Sequence, residues 1–327
     1  MGAKKKDDRM SFAQTFVSGG IAGVASRSIT SPLDVIKILA QVGTKETSGG
    51  FFKSFANLYR AEGLKAFWKG NGIACVRLFP YNAVQFAAFT YLKKMFSDAD
   101  GVLTPVRALT AGSLGGIVAT VATYPTDMVK TRLTIQHSGG DAKYKGMMDC
   151  FRVVLREEGM KAFFQGMSTS IVGVIPFAGG TFMAYEFLER VWGKPKHLLT
   201  PYENFLNGCA AAAFAQTFSF PFDTIRKKLQ AQAKGKGGDV YYEGMIDCFS
   251  KTIKKEGIFG LWRGTTANLA KVAPYAGIMF ATFEACRRVC LHWNGYTAGY
   301  LDATPIPGVP QNLKPHELKE WMEKQKK

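Results

Sequence analysis

The sequence has few of the residues from which metal and enzyme sites are usually built. Its four histidines are scattered, and none of its six cysteines forms a CxxC pair. That distribution argues against a metal-ligand set. No nucleophile–base pair or phosphate loop is evident either, so an enzyme is not expected. The cysteines, including Cys286 and Cys290, are expected to be free thiols of a reducing compartment or a membrane interior.

The amino-terminal region lacks two common targeting signals, and the chain is poor in acidic residues. There is no apolar core of a secretory signal, and Lys6 stands where a myristoylation motif requires Ser or Thr. The chain has 25 acidic and 42 basic residues, which gives a net charge of +17. The basic residues are spread along the chain and no nucleic-acid motif accompanies them. We therefore expect anionic lipid or an anionic solute as partner, and no nucleic acid.

Long apolar segments interrupted by occasional charges dominate the rest of the chain. Hydrophobic residues make up 47% of the sequence, yet the mean hydropathy is only −0.03. Such segments are typical of membrane helices with one lipid-facing and one wet face. Each is about as long as a bilayer crossing requires. A soluble repeat protein is the alternative.

One short pattern occurs three times, late in an apolar segment each time. It consists of a proline, an aspartate two residues later and a base three residues after that, and the copies begin at Pro32, Pro125 and Pro221. Proline kinks a helix, and an acid and a base at i, i+3 share one face. Three such helices around an axis would let each acid meet a neighbour's base. The repeat predicts one domain of three modules, with boundaries at 1–10 (tail), 11–100, 101–195, 196–292 and 293–327 (tail).

Each module is predicted to contain two long helices with a short surface helix between them. A Glu-Gly pair and an aromatic-x-Gly triplet follow the proline motif in every module. Long helices are expected at about 11–42, 72–96, 167–192 and 265–292, and a short one at about 51–60. The end of the tail, 315–327, is predicted to be a polar amphipathic helix, to which we assign no transport role.

These three patterns, in register over residues 12–292, resemble the mitochondrial carrier family, solute carrier family 25. Residues 77–86 and 175–179 are most similar to coenzyme A and adenine-nucleotide carriers and to an orphan member grouped with them. The resemblance implies an all-α membrane protein with six transmembrane helices in a pseudo-threefold barrel and three short matrix-side helices. It also implies a multi-pass location in the mitochondrial inner membrane, a functional monomer, and bound cardiolipin but no cofactor.

The resemblance further implies an ion-pair gate at each end of the barrel. The matrix gate would consist of three pairs with two glutamine braces: Asp34–Lys130, Asp127–Arg226, Asp223–Lys37, Gln41 and Gln230. Thr134 occupies the third brace position and cannot act in the same way. The cytoplasmic gate would keep two pairs and lose a third: Glu186–Arg287, Glu284–Lys93, and Thr90 facing Glu189. It should be the weaker gate, and ordinary surface ion pairs are the alternative for its charges. Leu39 replaces a second base in the first module, which is expected to weaken lipid or matrix-side contacts.

Positions that differ between the modules are candidates for binding an asymmetric solute. Seven residues after Gly70, Gly166 and Gly264 stand Arg77, Gly173 and Lys271, and Arg27 precedes Pro32 by five. Arg27, Arg77 and Lys271 are expected to be cations without matching acids, and such charges at membrane depth require water or an anion. Arginine and lysine both suit phosphate. Pairing with acids in the cavity is the alternative.

The remaining candidate contacts are small or aromatic residues on the second long helix of each module. Gly173-Val174 resembles the small apolar pair of adenine-nucleotide carriers, which leaves room for a flat ring, although tight helix packing would also explain the glycine. Stacking or amide contacts are expected from Tyr81, Gln85, Phe177 and Tyr275. The sequence thus predicts a carrier that moves a phosphorylated, nucleotide-like anion, coenzyme A or an adenine nucleotide, by alternating access. A carboxylate or inorganic-anion carrier and a non-transporting scaffold of the same fold remain alternatives.

Overall fold

The computed structural model describes residues 9–97, 104–136, 143–192, 200–232, 242–300 and 304–325. These residues are helical, apart from turns and one isolated β-bridge between Thr297 and Pro305. The α-helices are α1 Phe12–Ile29, α2 Ser31–Val42, α3 Phe51–Glu62, α4 Asn71–Phe96, α5 Pro105–Ile135, α6 Met147–Glu157, α7 Met167–Trp192, α8 Pro201–Ala231, α9 Met245–Glu256, α10 Thr265–Trp293 and α11 Pro315–Gln325. The prediction of an all-α fold is confirmed for this part of the chain.

Two compact units result, one of residues 30–274 and one of residues 1–29 with 275–327. The predicted helix over 11–42 is two helices, because α1 ends at Ile29 and α2 begins at Ser31 with Pro32 in its first turn. Proline fits that position since its missing N–H is not needed there. Pro125 and Pro221, in contrast, lie inside α5 and α8, which continue past them.

Within residues 30–274 the same local arrangement occurs three times. Each short helix, α3, α6 and α9, is followed by a 3₁₀ segment at residues 64–68, 160–164 or 258–262. One face of each short helix is buried against the helix that precedes it, with Leu58, Val154 and Cys248 fully inaccessible. This burial of apolar side chains stabilises each short helix in its module.

The glycines of the aromatic-x-Gly triplets lie where each module contacts the next. Gly70, Gly166 and Gly264 have φ angles of 71°, 79° and 90°. A β-carbon at these positions would lie 3.1 Å, 3.2 Å and 2.9 Å from the carbonyl oxygens of Lys130, Arg226 and Lys37, respectively. The left-handed backbone and the close approach both favour glycine. The triplet therefore positions the backbone of the base in each proline motif.

Two segments, Val106–Ile135 and Met160–Leu188, are long and apolar enough to cross a bilayer. Large apolar side chains on these and other long helices are exposed, including Phe182, Phe187 and Phe280. Exposed apolar faces on long helices are what a lipid environment requires.

In the smaller unit the residues after α10 fold back onto the start of α1. Tyr296 and Leu318 are fully buried in an apolar cluster to which Met10 and Trp321 contribute. Asn294 Nδ2 donates to the backbone oxygen of Arg9 at 2.9 Å. The predicted tail helix is present over Pro315–Gln325, and its apolar face packs into this cluster.

Candidate functional site

The candidate site lies where α2, α5 and α8 contact one another pairwise. Each helix contributes one aspartate and one base from its proline motif. The three nitrogen–oxygen distances are 3.7 Å for Lys130–Asp34, 2.6 Å for Arg226–Asp127 and 3.3 Å for Lys37–Asp223. The structure thus brings together the three pairs that the family resemblance implies for the matrix gate.

Two of the expected substrate cations are bound to the acids of this gate. Arg77 Nη1 donates to Asp127 Oδ1 at 2.8 Å, and Lys271 Nζ donates to Asp34 Oδ1 at 2.7 Å. The prediction that Arg77 and Lys271 stand without matching acids was therefore wrong. The acids come from other helices of the gate, since Asp127 of α5 reaches Arg77 and Asp34 of α2 reaches Lys271.

Asp127 is the most heavily coordinated of the three aspartates. Its Oδ1 accepts from Arg77, and its Oδ2 accepts from Arg226 Nη2 at 2.6 Å, Lys227 Nζ at 3.0 Å and Gln230 Nε2 at 3.0 Å. We call these five residues the Asp127 cluster. The Asp127 side chain is only 7% exposed, and three bases surround its carboxylate. A carboxylate offers about four acceptor positions, so this one is saturated.

The other two aspartates have fewer partners. Within the described residues, Asp34 forms ion pairs with Lys130 and Lys271, while Asp223 forms one with Lys37 alone and its side chain is 43% exposed. The three contacts of the gate therefore differ in strength, since exposure screens an ion pair. The contact between α5 and α8 is the strongest and the contact between α2 and α8 the weakest.

The two predicted glutamine braces behave differently. Gln230 accepts a hydrogen bond from Thr131 Oγ1 at 2.8 Å while it donates to Asp127. Gln41 is fully buried, but neither of its amide atoms has a hydrogen-bond partner in the described part of the chain. The expected brace at Gln41 is therefore not made in this structure. Thr134 Oγ1 donates instead to the backbone oxygen of Lys130 at 2.8 Å.

A second layer of ion pairs lies next to the gate and was missed from the sequence. Arg132 pairs with Glu158, and Lys228 pairs with Glu256. These acids belong to the Glu-Gly pairs of the second and third modules, so the layer joins α5 to the end of α6 and α8 to α9. The first module has Leu39 at the equivalent place, and Leu39 is buried in the apolar cluster around Leu58.

The small and aromatic candidates are only partly available to a solute. A β-carbon at Gly173 would lie 3.0 Å from Cβ of Phe222, so helix packing explains this glycine and the expected space for a flat ring is filled. Tyr81 lies against Arg77, with 5.4 Å from the ring centroid to Cζ. Gln85 lies at the contact between α4 and α5, next to Gly116. Val174 is half-buried and Phe177 is 43% exposed.

Residues of the smaller unit include the third expected cation and part of the cytoplasmic gate. Arg27 is half-buried, and its Nε has no hydrogen-bond partner in the described residues. The backbone oxygen of Tyr275 accepts a hydrogen bond from Ser26 Oγ at 2.7 Å. Glu284 pairs with Arg287 at 3.0 Å and with Arg288 at 3.3 Å, both on its own helix.

In the larger unit the cytoplasmic-gate residues lie on α4 and α7. Lys93 and Glu186 are exposed. The hydroxyl of Thr90 donates to the backbone oxygen of Phe86 at 2.8 Å, as expected of a residue that cannot form an ion pair. The side chain of Glu189, the predicted opposite residue, lies outside the described residues. The pairs expected across this gate stay predictions.

Comparison with known proteins identifies the family. The sequence model of the mitochondrial carrier protein family matches residues 8–100, 101–196 and 197–293, one match per module. The chain belongs to the mitochondrial carrier family. This carrier is accordingly a multi-pass protein of the mitochondrial inner membrane, and members of the family are transporters and not enzymes.

Similar proteins include a solute carrier that matches nearly the whole chain and adenine-nucleotide carriers that match most of it. Solute carrier family 25 member 43 of Danio rerio is 43% identical over 98% of this chain and 94% of its own length. The mitochondrial adenine nucleotide transporter ADNT1 of Arabidopsis thaliana is 34% identical over 85% of this chain and 87% of its own length. The human mitochondrial adenyl nucleotide antiporter SLC25A24 is 35% identical over 82% of this chain, which covers 56% of that protein.

Proposed function

We propose that this carrier moves a phosphorylated, nucleotide-like anion, coenzyme A or an adenine nucleotide, across the inner membrane by alternating access. The observation that carries the proposal is the charge balance of the gate region. Six bases contact three aspartates there: Lys37, Arg77, Lys130, Arg226, Lys227 and Lys271 against Asp34, Asp127 and Asp223. The region therefore has an excess of three positive charges.

An excess of this size at membrane depth favours a guest with several negative charges. Unpaired charge in the membrane is costly unless water or a counter-ion meets it. Guanidinium and ammonium groups bind phosphate oxygens through short, charge-assisted hydrogen bonds. A nucleotide with two or more phosphates would neutralise the excess, whereas an amino acid or a monocarboxylate would not. The names of the relatives ADNT1 and SLC25A24 refer to adenine nucleotides, which agrees with this class of guest.

Because Arg77 and Lys271 bind gate aspartates, a solute that binds these two bases would also weaken the gate. Each forms a hydrogen bond with a gate aspartate, at 2.8 Å and 2.7 Å. An anion that takes these two bases withdraws a partner from Asp127 and from Asp34. We propose Arg27 as a further cation that binds the solute. A solute shifts the equilibrium between states only through such differential binding.

We also propose three properties that family membership implies: a pseudo-threefold barrel of six membrane spans, a functional monomer and bound cardiolipin. A cavity of about 650 Å³ lies beside the start of α10 and the start of α3, lined in part by Lys45, Arg263, Gly264 and Phe51. Helix starts offer backbone N–H groups to phosphate, and the two bases supply positive charge. The headgroup of cardiolipin would fit there, with acyl chains along Phe51 and Phe259.

Transport assays with reconstituted protein test the proposal. Liposomes containing the carrier should take up labelled ADP or coenzyme A and not labelled malate. Lys271→Ala should lower this uptake at least tenfold, since a hydrogen bond to a charged group contributes about 1.5–3 kcal/mol. Lys254→Thr, at an exposed residue of α9, is the matched control and should transport normally. Uptake of malate alone would indicate a carboxylate carrier, and uptake of none of the three would favour a non-transporting scaffold.

A further inference from the structure

We infer that the carboxy-terminal tail is a clasp that takes the place of a covalent connection between α10 and α1 and keeps these helices together during transport. The clasp consists of residues 294–300 and 304–325. It lies outside the three matches to the mitochondrial carrier family, which end at residue 293. No transport role was expected of this tail, but its packing onto α1 indicates one. The inference rests on the proposed transport activity and not on any particular solute.

The need for a clasp follows from the order of the helices along the chain. The second long helix of one module packs against the first long helix of the next, as α4 does on α5 and α7 does on α8. Residues 97–104 and 193–200 connect these two pairs covalently. The third pair is α10 with α1, which belong to the last and the first module. No short stretch of chain connects them.

α1 and α10 contact each other mainly through small side chains. Ser26 Oγ donates to the backbone oxygen of Tyr275 at 2.7 Å, and Ser18 Oγ lies 3.8 Å from Cys290 Sγ. The buried residues of α1 are all serine, glycine or alanine. Such residues let helix backbones approach closely, but each buries little apolar surface. An additional attachment would therefore strengthen this pair.

The clasp binds the start of α1 through a reciprocal pair of side-chain amides. Gln14 Nε2 donates to Asn294 Oδ1 at 2.9 Å, and Asn294 Nδ2 donates to Gln14 Oε1 at 3.0 Å. Asn294 Nδ2 also donates to the backbone oxygen of Arg9 at 2.9 Å, and Arg9 Nη1 donates to Gln311 Oε1 at 3.1 Å. Asn294 is only 8% exposed. Loss of these hydrogen bonds would leave buried polar groups unsatisfied, which is costly.

An apolar cluster fastens the clasp to both helices at once. Leu291 of α10 is buried together with Tyr296 and Leu318 of the clasp. Met10, which precedes α1, packs against the same cluster. The hydroxyl of Tyr296 donates to the backbone oxygen of Leu313 at 2.6 Å, so the turn after α10 and the segment before α11 are held together. The clasp is thus a small folded element with its own core.

The clasp follows the predicted cytoplasmic-gate residues of α10. Asn294 is about two helical turns beyond Arg287. The ion pairs of Glu284 with Arg287 and Arg288 lie within α10 itself, so they do not join α10 to another helix. The clasp does join α10 to α1 in this region. Helix movements during alternating access should therefore occur at other contacts, while α1 and α10 move together.

Hydrogen exchange of the purified full-length carrier tests the clasp without any solute. Asn294→Ala removes three hydrogen bonds between the clasp and the start of α1. The amides of residues 15–20 should then exchange about tenfold faster. Asn312→Ala, the same substitution at an exposed asparagine of the tail, is the matched control and should leave α1 unchanged. The double variant Gln14→Asn with Asn294→Gln keeps both amides and should restore most of the protection.

The result in α1 decides whether the clasp is a link. If Asn294→Ala speeds exchange in the clasp while α1 exchanges as in the wild type, the clasp does not hold α1 and the inference is overturned. The starts of α5 and α8 should be unchanged in every variant, because residues 97–104 and 193–200 connect them to their partner helices. Equal acceleration there would indicate general destabilisation and would also overturn the inference.

Uptake of labelled ADP into liposomes tests the role in transport. Asn294→Ala should slow uptake about threefold, because conformational steps often limit turnover, and Asn312→Ala should not. A loosened α1 with uptake at the wild-type rate would refute the part of the clasp in transport. A wild-type protein that takes up neither ADP nor coenzyme A would overturn the proposed function, while hydrogen exchange would still support or overturn the link between the two helices.

Discussion

Exchanging the acid and the base of a gate pair should restore stability and transport at one contact of the gate but not at another. At the contact between α2 and α8, Lys37 is, among the described residues, the one base within 4.0 Å of Asp223. Lys37→Asp combined with Asp223→Lys therefore restores the pair in reversed form. At the contact between α5 and α8, the corresponding exchange is Asp127→Arg with Arg226→Asp. It places an arginine where two other bases converge.

The expected magnitudes follow from the number of close contacts. Two unit charges 4 Å apart interact by about 4 kcal/mol at an effective dielectric constant of about 20. The exchange at Asp127 regains one attraction of that order, but its contacts with Arg77 and Lys227, at 2.8 Å and 3.0 Å, become repulsions. At Asp223 the single attraction is smaller because that side chain is 43% exposed. Each exchanged residue also meets a motif residue of like charge three positions away on its own helix. This repulsion is the same in both exchanges.

The assay compares the single variants with each double variant, by thermal unfolding and by ADP uptake into liposomes. The Lys37–Asp223 double variant should recover a large part of what its single variants lose. The Asp127–Arg226 double variant should be no better than its worse single variant. Equal recovery at both contacts would refute the unequal coordination described here, because it would mean that Arg77 and Lys227 do not act on Asp127.

Three further predictions concern the scaffold. Gly264→Ala should destabilise the protein by about 1–3 kcal/mol in thermal unfolding, because of its φ of 90° and the nearby carbonyl, whereas Gly277→Ala, in open space within α10, should be neutral or stabilising. The Cys150 thiol, fully buried and with its pKa raised to about 12 mainly by burial, should resist maleimide at pH 7.5 and react only on unfolding; labelling of the folded protein would contradict its burial. Leu318→Ala should cost about 2–5 kcal/mol locally and speed hydrogen exchange in α11, while exposed Glu320→Ala should not; equal exchange in both variants would show that the tail is not packed.

The threefold repeat was enough to predict most of the fold. Proline, Glu-Gly and aromatic-x-Gly recur in register, so the predicted boundaries of helices such as 72–96 and 167–192 agree with α4 and α7 within about one residue. The close approach of Gly264 to the carbonyl of Lys37 shows why the triplet recurs. The break at Thr30 was not predicted, because Pro32 starts a helix as readily as it kinks one.

The site was predictable where it follows the repeat and unpredictable where it departs from it. Pairing of Asp223 with Lys37 depends on symmetry, which the sequence displays. Pairing of Lys271 with Asp34 depends on how far a side chain reaches between helices, which spacing alone does not define. Lys227 is likewise a base without equivalents in the other modules, where Ile38 and Thr131 stand.

Two residues that were predicted to act in the site, Gly173 and Gln41, have a different role in the structure because of how the helices pack. Gly173 was expected to leave space for a ring, but Phe222 fills that space from α8. Gln41 was expected to brace the gate as Gln230 does, yet its amide has no partner in the described residues. Both outcomes depend on contacts between modules, where identical motif positions meet different neighbours.

Competition against ADP uptake tests the central claim most directly. If the excess of three positive charges at the gate receives the solute, unlabelled compounds should compete with labelled ADP in the order of their phosphate charge. We predict that ATP and ADP compete strongly, AMP weakly, and adenosine and malate not at all. Competition by adenosine or malate as strong as that by ADP would contradict the account.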